Sequence, residues 1–439
     1  MTTEVSIMNT QAVALAADSA VTIQTGDGNG QKIFNTVNKL FMLSKYHPVG
    51  VMIYGSAAYM GTPWETIIKV FRKSLGEDRK DCLEEYADSF IDYVSNIYSD
   101  SQELNSIEIN HIKNTLNIFH NDLVAALEQS LKDIGTKEDA TKLLARILNY
   151  QIDQVISSMS KELDGADSLD CMAENNASEK MQNNSGQVDV IWGQVFSQLP
   201  IPDDRKAKIL DLSARAAGFG EFFSKSNSGI VIAGFGDKEL FPVQVKCNIE
   251  GYLFGCLKHN ARKVTKIGER QRAVVEPFAQ RDVISNFMQG VDPSFFTSIK
   301  ESFQFLSESG YPEVVEDVLK RNGVSDSVVD SVVSELVSRG KEHSVEIIQK
   351  LDLHSRKWHV DPIIEAVGFL PKEELAQLAE SLVNLTSVRR KMSTNAETVG
   401  GPVDVAVISK GDGFIWIQRK HYFEPKLNDH FFKNYYKGE

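Results

Sequence analysis

The chain has 439 residues, 42% of them hydrophobic and 24% charged, which is the balance of a soluble globular protein with room for two or three average domains. Its net charge of −13 weighs against a nucleic-acid surface, because phosphate neutralisation needs clustered Lys and Arg and no basic tract offsets the deficit. No charged leader with an apolar core opens the chain, no run of about 18 apolar residues marks a membrane span, and Cys82, Cys171, Cys247 and Cys256 lack C-x-x-C spacing and are too few for a disulfide framework. These features together predict a protein of a reducing cytoplasm, with neither nucleic acid nor membrane as a partner.

From Thr3 to Gly55 the sequence reads as short antiparallel strands at Val5 to Met8, Ala12 to Ala17, Gln31 to Val37, Leu40 to Ser44 and Val49 to Tyr54. Gly26-Asp27-Gly28-Asn29-Gly30 marks a tight turn among them, since Gly, Asn and Asp accept positive φ. The period then changes to helical, with Trp64, Ile67, Ile68, Phe71 and Leu75 on one face. Residues 77 to 224 read almost wholly helical, as in Ile112, Leu116, Phe119, Leu123, Leu127 and Leu131. Within them, 164 to 187 is polar and rich in Gly and Asn, which predicts a mobile loop.

Strand signals return at Ile230 to Gly234, Leu240 to Ile249, Leu253 to Leu257 and Ala273 to Phe278, followed by a helix from Val283 to Met288. Residues 292 to 370 are helical again. Pro371 then opens a helix with Leu375, Leu378, Leu382 and Leu385 as its apolar stripe, because Pro at a helix start lacks only an N–H that has no partner there. Gly400-Gly401, a strand from Val403 to Ile408, the turn Gly411-Asp412-Gly413 and a strand from Phe414 to Ile417 close the ordered pattern. No internal repeat is visible.

Three features at the start of the chain point to one chemistry. Removal of Met1 exposes Thr2, Asp18 follows an apolar strand, and Lys32 lies just past a turn. A Thr hydroxyl is a weak nucleophile that needs a base beside it, and an N-terminal Thr carries one in its own amine. That amine has a pKa of about 7.7 to 8.0, which a nearby ammonium such as that of Lys32 lowers toward the proton-accepting form. Asp18 would hold that lysine charged and in place.

At these residues the sequence resembles the proteasome β-subunit family and its simpler bacterial relatives, the N-terminal nucleophile (Ntn) hydrolases. The matching stretches are Thr2-Thr3-Glu4-Val5-Ser6-Ile7, Val13-Ala14-Leu15-Ala16-Ala17-Asp18-Ser19, Lys32-Ile33-Phe34 and Tyr54-Gly55-Ser56-Ala57-Ala58. The resemblance implies Thr2 as nucleophile, Asp18 and Lys32 as its aspartate and lysine, and the Gly55 N–H as oxyanion donor. It also implies an α+β fold, a four-layer αββα Ntn-hydrolase sandwich, here with two long helical insertions. On that reading 1–76, 225–291 and 371–439 are the three parts of the core, and 77–224 and 292–370 are the insertions.

The function so implied is a threonine peptidase that hydrolyses peptide bonds in peptides or unfolded proteins, working as a homo-oligomer. No nucleotide-binding motif occurs, so unfolding of a substrate calls for a separate ATPase. No cofactor or metal is implied: His111, His120, His343, His354 and His359 fall in no H-E-x-x-H pattern, and Asp27 and Asn29 lack the closing Glu of a calcium loop. The match departs at two places. The family's polar pair before Gly-Gly falls on Ala396 and Val399, with Glu397 or Thr398 as neighbours, and only Gln280 or Asp282 is available for a serine that precedes the family's third helix. Two alternatives therefore stand beside the peptidase: a small-amide Ntn hydrolase, and a non-catalytic scaffold of the same fold.

Overall fold

The computed structural model describes residues 3–24, 31–98, 104–132, 140–165, 176–217, 227–392 and 400–436. β1 (Thr3–Asn9) and β2 (Ala12–Ala17) pair antiparallel across a turn that the Asn9 side chain closes. Its Oδ1 accepts the N–H groups of Gln11 and Ala12 at 2.9 and 3.2 Å, an Asx-type bond that replaces the ladder where the chain reverses. β3 (Val21–Gln24) and β4 (Gln31–Phe34) form a separate hairpin. β5 (Leu40–Met42), β6 (Val49–Gly55) and a minimal hairpin of β7 (Ala58–Tyr59) and β8 (Thr62–Pro63) lead into α1 (Trp64–Leu75).

A helical run follows, with α2 (Leu83–Asn96), α3 (Leu104–Lys132), α4 (Ala140–Gly165), α5 (Asn176–Asn183), α6 (Ser185–Val195) and α7 (Asp203–Ala217). Strands resume as β9 (Ser228–Gly234), β10 (Val243–Leu253), β11 (Cys256–His259), β12 (Lys263–Lys266) and β13 (Ala273–Ala279). The second helical run comprises α8 (Asp282–Gln289), α9 (Pro293–Phe305), α10 (Tyr311–Arg321), α11 (Asp326–Ser355), α12 (Asp361–Phe369) and α13 (Lys372–Lys391), with π turns at Leu306–Gly310 and Arg356–Val360. β14 (Asp404–Ser409), β15 (Gly413–Gln418) and α14 (Asp429–Tyr436) complete the described chain.

The chain divides into two compact units. The first comprises Met1–Leu40, Leu240–Pro242 and Lys266–Glu439. Its five-stranded sheet has the order β13-β1-β2-β14-β15, antiparallel throughout. Alternate residues of three strands, Val5 and Ile7, Ala14 and Ala16, and Val405 and Val407, form one apolar face that packs on α13. The alanines of β2 keep that face low enough for the helix to lie close. On α13 the buried residues are Leu375, Ala376, Ala379, Leu382 and Val383, whereas Leu385 is 41% exposed. Of the predicted stripe, Leu375 and Leu382 are buried and Leu378 packs partly buried against the same cluster; Leu385 alone lies outside it, and Ala376, Ala379 and Val383 complete the face.

The second unit comprises Phe41–Glu239 and Val243–Thr265. Its sheet has the order β11-β10-β9-β6-β5, and β12 pairs with β10. The predicted face of α1 is the buried one, with Trp64, Ile67, Ile68, Phe71 and Leu75 packed with Phe90 of α2 and the strand residues Val51, Ile230 and Val245. A further cluster joins Ile112, Leu116 and Phe119 of α3 to Val188 and Ile191 of α6 and Ile209 of α7.

Two expectations need correction. The segment from 164 to 187 is not a loop throughout, because α5 and the start of α6 lie within it. Met181 and Val188 bury their side chains in the α3 cluster, and that burial outweighs the polar composition around them. Cys82 and Cys247 are free thiols, and burial pushes the Cys247 thiol up to about 12. Cys256 is disulfide-bonded, which removes cysteine usage as an argument for a reducing compartment. Among the described residues no helix is long and apolar enough to cross a membrane.

Candidate active site

The first unit carries a buried ionic cluster at the start of β1. Asp18 follows the last residue of β2 and takes part in a two-way link with Thr3: its N–H donates to the Thr3 carbonyl at 3.1 Å, and its Oδ1 accepts the Thr3 N–H at 3.1 Å. Its Oδ2 accepts the N–H of Gly400 at 3.1 Å. The segment before β14 is held alongside, because Ser19 donates its N–H to the Gly400 carbonyl at 3.3 Å and its hydroxyl to the Pro402 carbonyl at 2.5 Å. Gly401 is required here: its φ is +79°, and a Cβ would lie 2.8 Å from the Asn35 carbonyl oxygen.

The lysine on Asp18 is Lys39. Its ammonium bonds Asp18 Oδ1 and lies 3.2 Å from Glu4 Oε1, and the Lys39, Asp18 and Glu4 side chains are 5%, 1% and 0% exposed. Isolated charges so buried would be strongly destabilising, so the three groups act as one unit. Strand register brings a further pair nearby. Glu4 is opposite Ala17 and Ala17 opposite Asp404, which puts the Glu4 and Asp404 side chains on one face of the sheet. Asp404 Oδ1 accepts the N–H of Lys420 at 2.8 Å, and its Oδ2 holds the Lys420 ammonium. Burial lowers the Lys420 pKa below the usual lysine range against the opposing effect of Asp404. Lys39 lowers it further and Asp18 raises it, so the two ion pairs sense each other.

The residues singled out from sequence fare differently. Asp18 is in the cluster. Thr2 lies outside the described residues, directly before Thr3. The backbone of Lys32 is in β4, opposite Ile23, and its side chain lies outside the described residues. Gly55, in the second unit, ends β6 with φ +81°, and a Cβ there would lie 2.7 Å from the Asn227 carbonyl oxygen. That strand end is pinned. Ser56 donates its N–H to the same Asn227 oxygen at 3.0 Å, while Ser228 donates to the Ser56 carbonyl at 3.0 Å and accepts from the Trp64 indole at 2.8 Å.

Ala396, Glu397, Thr398 and Val399 lie outside the described residues. Gln280 and Asp282 are both engaged by Arg390 of α13, which donates to the Gln280 amide oxygen at 2.7 Å and to both Asp282 oxygens at 2.7 Å. Directly before Gln280, the last residue of β13 is Ala279, opposite Thr3 and at a φ of +56°, a conformation costly for a side chain with a Cβ. Lys39, Glu4, Asp404 and Lys420 are the members of the cluster that spacing missed. Lys39 sits directly before the apolar strand Leu40 to Met42, a position available in the sequence but masked by the better spacing of Lys32.

No protein-family model matches the chain, and no curated protein matches it. Among solved structures it is similar to the Anbu (Gly-1) mutant from Hyphomicrobium sp. strain MC1, with 10% sequence identity over 100% of this chain and 98% of that one. The TM-score is 0.26, too low for that likeness to assign a fold.

Proposed function

We propose that the protein is an amide hydrolase whose nucleophile is the hydroxyl of Thr2, freed at the N-terminus by removal of Met1, and that its substrates are peptide bonds. The observation that carries this reading is the Asp18 carboxylate, buried and bonded both to the N–H of Thr3, the residue joined to Thr2, and to the Lys39 ammonium. An ammonium near a free amine lowers that amine's proton affinity and favours its basic form. The lysine role is therefore assigned to Lys39.

In the proposed reaction the Thr2 oxygen attacks the substrate carbonyl carbon while its proton passes to the Thr2 amine. The tetrahedral intermediate collapses, the C–N bond breaks, and the ammonium returns the proton to the leaving amine. Water then attacks the resulting ester, again with the Thr2 amine as base, and releases the acid and free Thr2. Gly55 is retained as oxyanion donor on the strength of the sequence resemblance, and a homo-oligomer fed by a separate ATPase on the same ground. Hydrolysis of fluorogenic peptides by purified protein tests the reading, with Thr2→Ala as control. Turnover that disappears in Thr2→Ala supports it, and equal turnover in the two proteins contradicts it.

A further inference from the structure

In the first unit, α9, the π turn Leu306–Gly310 and α10 continue one another and run beside α11 as a helical hairpin. Its inner side is covered, with Pro312 buried and Ile299, Val315 and Leu319 half-buried. Gly340 of α11 is needed for that approach, since a Cβ there would lie 2.3 Å from the Ser307 carbonyl oxygen.

Another side of the same helices is apolar and open to solvent. Phe295 and Leu306 stand about three full turns apart, hence on one stripe, and Tyr311, Val314 and Val318 recur at helical spacing. The π turn joins the two sets, because the Tyr311 N–H donates to the carbonyl of Leu306 and so stacks one residue over the other. These five residues are 59%, 42%, 64%, 61% and 51% exposed, in the order Phe295, Leu306, Tyr311, Val314 and Val318. Together they leave roughly 500 Å² of contiguous apolar surface in water, an area that marks an interaction site.

We propose that this stripe is where two copies of the chain meet about a two-fold axis, each hairpin laid antiparallel on the other. The area suits it: flanking side chains bring the patch toward the 800 Å² or so per partner that a stable interface buries. A second copy fits the stripe better than an unlike protein, because nothing along it selects an oppositely charged partner. Its one polar side chain between Phe295 and Leu306 is Ser302, whose hydroxyl donates to the Ser298 carbonyl at 2.7 Å. The neighbouring charges of α10 pair within the helix, Glu316 with Lys320 and Asp317 with Arg321, so two acidic chains can approach there. Antiparallel apposition sets Phe295 of one copy beside Val318 of the other, large against small, with Leu306 at the axis. Two hairpins so joined make a four-helix layer. The contact rests on the homo-oligomer of the proposed function but not on its chemistry, so mass and turnover can fail separately.

The test is sedimentation velocity of the full chain, with cysteine cross-linking beside it. Wild type is expected as a dimer or an even multiple, and Tyr311→Glu combined with Val314→Glu should halve that mass by placing carboxylates in an apolar contact. Both side chains are largely exposed, so the double variant keeps its fold. On mild oxidation Leu306→Cys should give a reducible band of twice the chain mass that wild type lacks. Glu342→Cys, exposed about half a turn from Gly340 on the outer side of α11, should not. A monomeric wild type, an unchanged mass in the double variant, or Leu306→Cys that cross-links no more than Glu342→Cys overturns the proposal.

Discussion

The N–H of Gly400 donates to Asp18 Oδ2 at 3.1 Å, joining the end of β2 to a segment 382 positions later, while the other Asp18 oxygen binds Thr3 and Lys39. One buried carboxylate therefore fixes the start of β1, the approach to β14 and the lysine before β5. Each connection gives a measurable consequence.

Asp18→Asn leaves the Lys39 ammonium buried with Glu4 as its remaining carboxylate. Breaking a buried pair from one side costs about 3–5 kcal/mol, and urea denaturation is expected to show a loss of that order. Combining Asp18→Asn with Lys39→Met should cost less than the sum of the two single changes. Strict additivity would show that the pair is not coupled.

The two lysines separate spacing from geometry. Lys39→Ala is expected to abolish Thr2-dependent turnover, whereas Lys32→Ala should retain it within about threefold, a change worth under 1 kcal/mol. The opposite pattern would return the role to Lys32.

Gly400 and Gly401 respond differently to the same substitution. Gly401→Ala puts a Cβ against the Asn35 oxygen at positive φ and should destabilise by about 1–3 kcal/mol. A Cβ on Gly400 meets nothing within 4 Å, so Gly400→Ala should stay within about 0.5 kcal/mol. Thermal melts of the two variants make the comparison.

His111 supplies a pH dependence in the second unit. It is buried on α3 with its Nδ1 3.2 Å from Glu250, and burial lowers its pKa below 6.5, with Glu250 opposing and Lys258 adding to the shift. The unfolded chain therefore binds a proton that the folded chain refuses between the lowered pKa and 6.5. The contribution is complete above that window and is lost as pH falls through it, by up to about 1.4 kcal/mol per pH unit. Urea midpoints from pH 7.5 to 5 should fall more steeply in the wild type than in His111→Gln; parallel curves would contradict the assignment.

Much of the sheet architecture was legible because alternation and turn chemistry agree: β1, β2, β6, β9 and β14 are found where apolar alternation or short apolar runs place them. The face of α1 was legible for the same reason, since its large side chains recur at helical spacing and all are buried. The short strands β3 and β12 were missed, as Val21-Thr22-Ile23-Gln24 and Lys263-Val264-Thr265-Lys266 carry only two and one strongly apolar residues. On α13, Leu375 and Leu382 were legible, whereas the buried Ala376 and Ala379 were not, since small residues carry little hydrophobic signal. In the buried ionic cluster, the place of Asp18 after an alanine-rich strand was legible. The contact of Lys39 with Asp18 was not, because which lysine reaches a buried carboxylate follows from three-dimensional packing rather than spacing. Glu4, Asp404 and Lys420 were hidden for a related reason: a buried charge inside a strand reads as a solvated one until its register partners are known.

The most direct test of the central claim is the intact mass of the purified protein before and after treatment with a peptide epoxyketone, beside Thr2→Ala. Loss of Met1 and a single adduct that is absent from Thr2→Ala is the result predicted here. Met1 retained with no adduct, or an adduct that persists in Thr2→Ala, would contradict an N-terminal threonine nucleophile.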